Sequence, residues 1–256
     1  METSPSSLLE YLVACERIVI FTGAGVSTGA GIPDYRGPNG IWKSRPEIPL
    51  DEYLEFPEKQ RQYWGFKSED FFRWQAVQPT PAHEAIARLQ DLGKLRAVIT
   101  QNIDGLHRRA GVREDLLVEL HGRMDQVRCL GCGFTDRAEP WYAKFQKEGE
   151  VPDCPVCQHV LKPGVIQFGE SLEASDLIRA QQAMMDPDLV IAIGSTLAVQ
   201  PAATFPLMAA RMGVPYIILN QGETAHDGLP HVALRLEGDV QEIFPDAVRD
   251  ASSMFG

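Results

Sequence analysis

Residues 17–22 read RIVIFT and run without a break into GAGVSTGAGIPDYRG at 23–37. A short run of β-branched and aromatic residues with no polar alternation fits a strand buried on both faces, the habit of parallel sheets. Gly23, Gly25, Gly29 and Gly31 follow at once, giving a turn whose backbone N–H groups can face an anion. The same punctuation recurs down the chain. Apolar runs at 96–100 (RAVIT), 117–120 (LVEL), 189–193 (LVIAI), 216–219 (YIIL) and 233–236 (ALRL) each end in small or polar residues. Helical spacing lies between them at 82–90, 175–185 and 202–211. Strands alternating with helices predict an α/β fold, a Rossmann-like doubly wound parallel sheet.

Two stretches break the alternation. Residues 38–78 are rich in Pro and aromatics, and 124–163 carry four of the five cysteines. The expected organisation is a nucleotide-binding body from 1–37, 79–123 and 164–256, a helical insertion at 38–78 and a small zinc-binding module at 124–163. Within that module Cys129-Leu-Gly-Cys132 and Cys154-Pro-Val-Cys157 stand 21 residues apart. Two such knuckles supply four thiolates to a closed tetrahedral Zn²⁺ site, which is structural because no position stays open for water. Cys15, in the apolar segment LLEYLVACE, reads as a core residue.

Composition narrows the function. With 44% hydrophobic and 23% charged residues in 256, the chain is neither disordered nor of low complexity. A net charge of −11 disfavours a bulk polyanion as main partner, since that mode needs surplus Lys and Arg to displace counterions. No nucleic acid and no membrane is expected: no apolar run approaches the roughly 18 residues of a membrane helix. The opening METSPSSLLEYLVACER is acidic and lacks the long apolar run of a signal peptide. Paired thiolates without secretion signals point to metal rather than disulfides, and the expected address is cytoplasmic.

Ligands of open α/β sheets bind beyond the carboxyl ends of the strands, so the polar clusters there are the candidates. After the first strand the dinucleotide fingerprint is imperfect: Thr28 stands at its third Gly, and no acidic residue closes a second strand about 20 positions on. A nucleotide loop and a structural turn both remain readings of those glycines. After 96–100 come Gln101, Asn102 and Asp104, whose groups suit a carboxamide and ribose hydroxyls, although Asp104 also fits as a helix cap. His121 follows the run 117–120 and is the histidine placed as a general base at a strand terminus; a satisfied structural histidine is the competing reading. GSTLAVQP at 194–201 and LNQGET at 219–224 close two further strands.

Together these residues resemble the sirtuin family of NAD-dependent protein lysine deacylases. GAGVSTGAGIPDYRGPNGIW, TQNIDGLH, LHG, the two Cys-x-x-Cys pairs, KPGVIQFGE, GSTLAVQP and LNQ occur in the family's order from Ile18 to about Val240. The resemblance implies that Gly23, Ala24, Gly25 and Ser27 cradle the phosphates and adenosine side of NAD, with Tyr35 and Arg36 in a loop closing over the nicotinamide ribose. Gln101, Asn102, Ile103 and Asp104 would hold the nicotinamide and its ribose. Gly194, Ser195 and Thr196 would form the second cofactor turn, Asn220 would contact the adenosine ribose and Val240 the adenine. His121, with Asn102 and Asp104, would be catalytic. Val165, Ile166, Phe168, Gly169 and Glu170 on one edge, and Leu197 and Val199 on the other, would admit an acylated lysine peptide as an added strand.

The implied chemistry expels nicotinamide, traps the oxocarbenium-like ribose with the acyl oxygen in a dry site, and lets His121 activate a ribose hydroxyl. It releases free lysine, nicotinamide and O-acyl-ADP-ribose, with acetyl the expected acyl group. Three departures from the family's commoner residues stand out: Tyr35 for Phe, Ser195-Thr196 for Thr-Ser, and Lys162 for Arg. The Tyr and Arg, three residues apart, of the succinyl-removing branch are not matched, since Tyr63 is followed by Phe66, although Lys67 offers a cation. Competing functions are protein ADP-ribosyl transfer or NAD hydrolysis in the same pocket, and a non-catalytic NAD- and zinc-binding interaction module.

Overall fold

A computed structural model of the chain describes residues 5–34, 40 and 45–255. In chain order the elements are α1 (Pro5–Ala14), β1 (Ile18–Thr22), two 3₁₀ turns (Ala24–Val26 and Thr28–Ala30), α2 (Leu50–Glu55), α3 (Pro57–Trp74), α4 (Pro81–Asp91), β2 (Leu95–Thr100) and α5 (Leu106–Arg109). Then follow β3 (Leu117–Glu119), β4 (Gly122–Cys129), β5 (Thr135–Arg137), α6 (Ala138–Glu148), β6 (Leu161–Val165), α7 (Ala174–Ala183), β7 (Leu189–Ile193), α8 (Thr204–Arg211), β8 (Tyr216–Asn220), β9 (Val232–Glu237) and α9 (Val240–Ser253).

The six apolar runs are the six strands of one sheet, in the order β3-β2-β1-β7-β8-β9, with every pairing parallel. Side chains on a strand alternate between faces, and the core divides accordingly. Ile18 and Ile20 of β1 join the cluster formed with Leu8 and Leu12 of α1, Ile86 and Leu89 of α4, and Phe244 and Val248 of α9. Val19 and Phe21 turn the other way, onto Ala180 and Ala183 of α7 and Phe205 and Ala209 of α8. Strands β1, β7 and β8 are buried at every position, whereas β9 at the sheet edge alternates Val232, Leu234 and Leu236 inward with exposed or half-buried residues outward. This is why five runs read as continuous apolar stretches and the last only as an alternation.

The cysteine-bearing stretch folds as a three-stranded antiparallel sheet, β5-β4-β6, with α6 packed on it. The two insertions share one apolar cluster, a union the sequence did not announce. Tyr53 and Trp64 from α2 and α3 are buried with Met124, Val127, Tyr142, Phe145 and Leu161. The Trp64 ring lies 5.5 Å edge-on from Tyr142 and 5.7 Å from Phe145. Both Trp64 Nε1 and Tyr53 Oη donate to the carbonyl of Leu161, at 3.1 and 2.8 Å. Large aromatic surface with satisfied polar tips is the combination that makes such a contact stable.

Candidate active site and metal centre

The sheet order reverses direction between β1 and β7, and there two loop ends meet. Gly25 N donates to Gly194 O at 2.8 Å, and Gly23 N to Ile193 O at 3.2 Å. A Cβ on Gly25 would fall 2.7 Å from Gly194 Cα, and one on Gly194, whose φ is +61°, would fall 2.6 Å from Val26 N. The glycines at 23, 25 and 194 are therefore required by backbone packing against each other, a reason beyond approach to a phosphate. Gly194→Ala is expected to destabilise the fold by about 1–3 kcal/mol, through overlap and an unfavourable backbone conformation. Thermal unfolding checks this, and an unchanged midpoint would mean that the two loops part freely.

Three strand ends converge around that contact. Asn102 Nδ2 donates to Gly23 O at 3.1 Å and to Ser27 Oγ at 3.2 Å. Ser27 Oγ in turn donates to Asp104 Oδ2 at 2.7 Å, while Asp104 Oδ1 accepts from Leu106 N at 2.8 Å. Asp104 thus accepts the first N–H of α5 from just outside its N-cap, Gly105, and is also a member of the cluster. Burial raises its carboxyl, and the bonds from Leu106 and Ser27 pull against that rise. Gln101 Nε2 reaches Ser195 Oγ at 2.9 Å, linking the β2 loop to the β7 loop. Ile103 is tied into the zinc-bearing lobe, its carbonyl accepting from Met124 N at 3.2 Å.

Support comes from residues the sequence reading did not select. His107 Nε2 and Thr22 Oγ1 lie 2.8 Å apart, Thr22 Oγ1 lies 2.8 Å from Thr100 Oγ1, and Thr100 Oγ1 accepts from Asn102 N at 3.0 Å. His107 stacks against His83 with ring centres 4.6 Å apart. Burial holds His83 down to about 4 and His107 well below the ordinary histidine value, so both are neutral. A threonine ending each of two adjacent strands was the only sign of this chain in the sequence.

His121 occupies the turn between β3 and β4. Its Nδ1 lies 3.0 Å from the carbonyl of Gln101. A carbonyl can only accept, so Nδ1 carries the proton and Nε2 keeps its lone pair. Desolvation lowers the imidazole below its ordinary 6.5, with the Gln101 bond opposing. The next residue, Gly122, has φ +75°, and a Cβ there would fall 2.1 Å from Gly164 O. Glycine thus lets β6 pass directly beside the histidine, and Ile166 N donates to His121 O at 2.8 Å.

The proposed peptide edges lie on either side. Val165 and Leu197 are buried, Ile166 and Val199 half-buried, and Phe168 and Gly169 exposed. Leu197 has φ +56° and faces the core, so its side chain points away from solvent. Ala24 and Ser27 sit in and after the first 3₁₀ turn. The carbonyl of exposed Thr196 accepts from Ala225 N at 2.9 Å, and Asn220 Nδ2 donates to the carbonyls of Gln221 and Gly222, each at 3.1 Å. Val240 is buried at the start of α9. Tyr35 and Arg36 lie outside the described residues.

The four paired cysteines meet at one point. Their sulfurs all lie within 4.8 Å of one another, with Cys129–Cys157 at 3.4 Å and Cys132–Cys154 at 3.6 Å. A tetrahedron of Zn–S bonds near 2.3 Å puts sulfurs about 3.8 Å apart, whereas a disulfide needs about 2.05 Å. The donor set and spacing fit one zinc ion. The sulfurs tie the β4–β5 turn to the β6 side of the small sheet, a structural task.

A parallel sheet with loops convergent at its switch point and a four-thiolate lobe beside them defines a nucleotide-binding α/β protein with a structural metal module. The chain belongs to the Sir2 family, whose model matches residues 23–201. It is 40% identical over 228 residues to the NAD-dependent protein deacetylase 1 of Bradyrhizobium diazoefficiens, covering 88% of this chain and 89% of that one. It is 37% identical over 255 residues to the NAD-dependent protein deacylase 2 of Archaeoglobus fulgidus, covering 99% and 98%. A solved structure described as "Sir2-p53 peptide-NAD+" superposes with a TM-score of 0.85 at 33% identity, covering 99% of this chain and 100% of that one.

Proposed function

We propose that the chain removes acyl groups, acetyl foremost, from lysine side chains of proteins, consuming NAD as co-substrate and releasing nicotinamide and O-acyl-ADP-ribose. The observation that carries this is His121: its tautomer is fixed by the Gln101 carbonyl, so that Nε2 is the basic atom, and it stands at the strand end next to the Asn102–Ser27–Asp104 cluster. The deacetylase and deacylase names of the relatives support the same reading.

In this reading the donor set matches each part of NAD. Gly23, Ala24, Gly25 and Ser27 would take the phosphate side, Gln101, Asn102, Ile103 and Asp104 the nicotinamide and its ribose, and Gly194, Ser195, Thr196, Asn220 and Val240 the adenosine. Tyr35 and Arg36 would contact the nicotinamide ribose. Bound NAD supplies a ribose carbon that becomes electrophilic as nicotinamide leaves. Asn102 and Asp104 orient that end, His121 Nε2 accepts a proton from a ribose hydroxyl, and the 165–170 and 197–199 segments align the acyl-lysine. A cytoplasmic address belongs to the same reading, since thiolates keep their metal-binding form in a reducing compartment.

The test is incubation with NAD and a panel of acyl-lysine peptides, following nicotinamide and O-acyl-ADP-ribose by mass spectrometry. Peptide-dependent formation of both in equal amounts is expected. Nicotinamide without the acylated product would instead mark a hydrolase or ADP-ribosyltransferase, and no NAD turnover on any peptide would mark a binding module. The pH profile is a second check. A base must be neutral to act, and burial lowers His121, so the acidic limb of kcat is expected to have its midpoint below 6.5. A midpoint above that value would transfer the limb to another group.

A further inference from the structure

Between β6 and α7 the chain makes an arc over residues 165–170, and underneath it lies a charge that the chemistry above does not use. Lys162, on β6, is fully buried. Its ammonium has three protons and three acceptors: the carbonyls of Val165 at 2.5 Å and Pro163 at 3.1 Å, and Glu170 Oε2 at 3.1 Å. Glu170, with only 5% of its side chain exposed, also accepts from Gln167 N at 2.9 Å and from Arg128 Nη2. One ion pair therefore ties the beginning, the middle and the end of the arc.

The outer side of the arc is tied as well. Ile166 N donates to His121 O at 2.8 Å, Gln167 Nε2 to Ile48 O at 2.9 Å and Leu50 N to Phe168 O at 2.9 Å. The segment assigned to the peptide is thus held between the buried pair below and the histidine turn beside it. Burial pulls Lys162 down to about 8, with Glu170 opposing, so its ammonium stays largely charged at neutral pH. A buried charge whose partner is removed is left uncompensated, so neither half of such a pair can be lost quietly.

We propose that the Lys162–Glu170 pair is a positioning element for the acylated peptide, fixing the 165–170 arc at a set distance and register from His121. This rests on the deacylase reading. Neither residue touches reacting atoms; both act through the backbone of 165–170. Productive geometry tolerates little displacement, so the effect falls on peptide recognition ahead of NAD recognition.

The test uses the full chain with Lys162→Met, which keeps the stem and removes the donors, together with Glu170→Gln and Lys162→Arg. Two readouts are taken: the Kd of a fluorescein-labelled acetyl-lysine peptide by anisotropy, which needs no turnover, and the KM values for peptide and NAD. The Met and Gln variants are expected to raise peptide Kd and KM about tenfold or more while KM for NAD stays within about twofold, and Lys162→Arg is expected to restore most of the peptide affinity. Unchanged peptide affinity in folded Met or Gln variants would overturn the inference, as would equal loss of peptide and NAD recognition. If Lys162→Met does not fold, Glu170→Gln decides alone, since it keeps the size of the side chain while removing its charge and turning one accepting oxygen into an amide donor. A wild-type protein that binds the peptide but forms no O-acyl-ADP-ribose would sink the deacylase reading while leaving the positioning result to the Kd values.

Discussion

Replacing His121 with Ala is expected to lower acyl-peptide turnover by about 10²- to 10⁴-fold, the usual contribution of a general base, and to leave NAD affinity near that of the wild type. The basis is geometric. Among the described residues the imidazole has one side-chain bond, from Nδ1 to the Gln101 carbonyl, which leaves Nε2 to act as base. His121→Gln sharpens the experiment, because its amide N–H can keep the Gln101 bond while supplying no basic nitrogen. Both variants inactive, both folded and both binding NAD by calorimetry is the outcome that assigns the proton to Nε2. Activity within about tenfold of wild type in either would remove His121 from that role.

Losing one zinc ligand is expected to have the largest effect on the fold. Cys154 is fully buried, and it belongs with Cys129 to the same apolar cluster as Tyr53, Trp64 and Tyr142. Structural zinc held by thiolates contributes apparent binding free energies of about 10–16 kcal/mol, and in small modules that energy is folding energy. Cys154→Ser, or a strong chelator, should release one equivalent of zinc and melt the lobe made by both insertions. Three of the four tryptophans, Trp64, Trp74 and Trp141, belong to or pack against the apolar cluster of that lobe, so intrinsic fluorescence reports on it. Far-ultraviolet dichroism is dominated by the helices of the larger sheet and should change less. Metal loss with unaltered fluorescence would show that aromatic packing alone sustains the lobe.

Much of this molecule could be read from its residues, for identifiable reasons. Five of the parallel strands were visible because burial on both faces forces apolar runs, and the edge strand β9 because its buried positions alternate. The zinc site was visible because two Cys-x-x-Cys pairs have few other uses. What stayed hidden depends on long-range contact. Trp64 and Leu161 are 97 residues apart, and no local pattern says that a helical insertion and a zinc module form one core. The glycines at 23 and 25 looked like a phosphate turn, since nothing near them in sequence shows Gly194 pressed against them. Lys162 read only as a substitution for Arg, because its three acceptors are two backbone carbonyls and a carboxylate gathered by the arc. His121 could be singled out by its place after a strand, but its proton placement required the Gln101 carbonyl, in the loop after β2.

The strand order also dictates a timetable for the newly made chain. Strand β1 is central, and its partners are β2 on one edge and β7 on the other, where Ile18 pairs with Leu189. During synthesis the first strand emerges early and its second partner arrives some 170 residues later, roughly 10–30 s at ribosomal speeds. Through that interval a strand apolar from Ile18 to Phe21 has an open hydrogen-bonding edge, which is what invites pairing with a neighbouring nascent chain. The insertions occupy that wait, with α2, α3 and the zinc lobe all made before β7. Strand β1 therefore has to be shielded on that edge until the second half of the sheet is delivered.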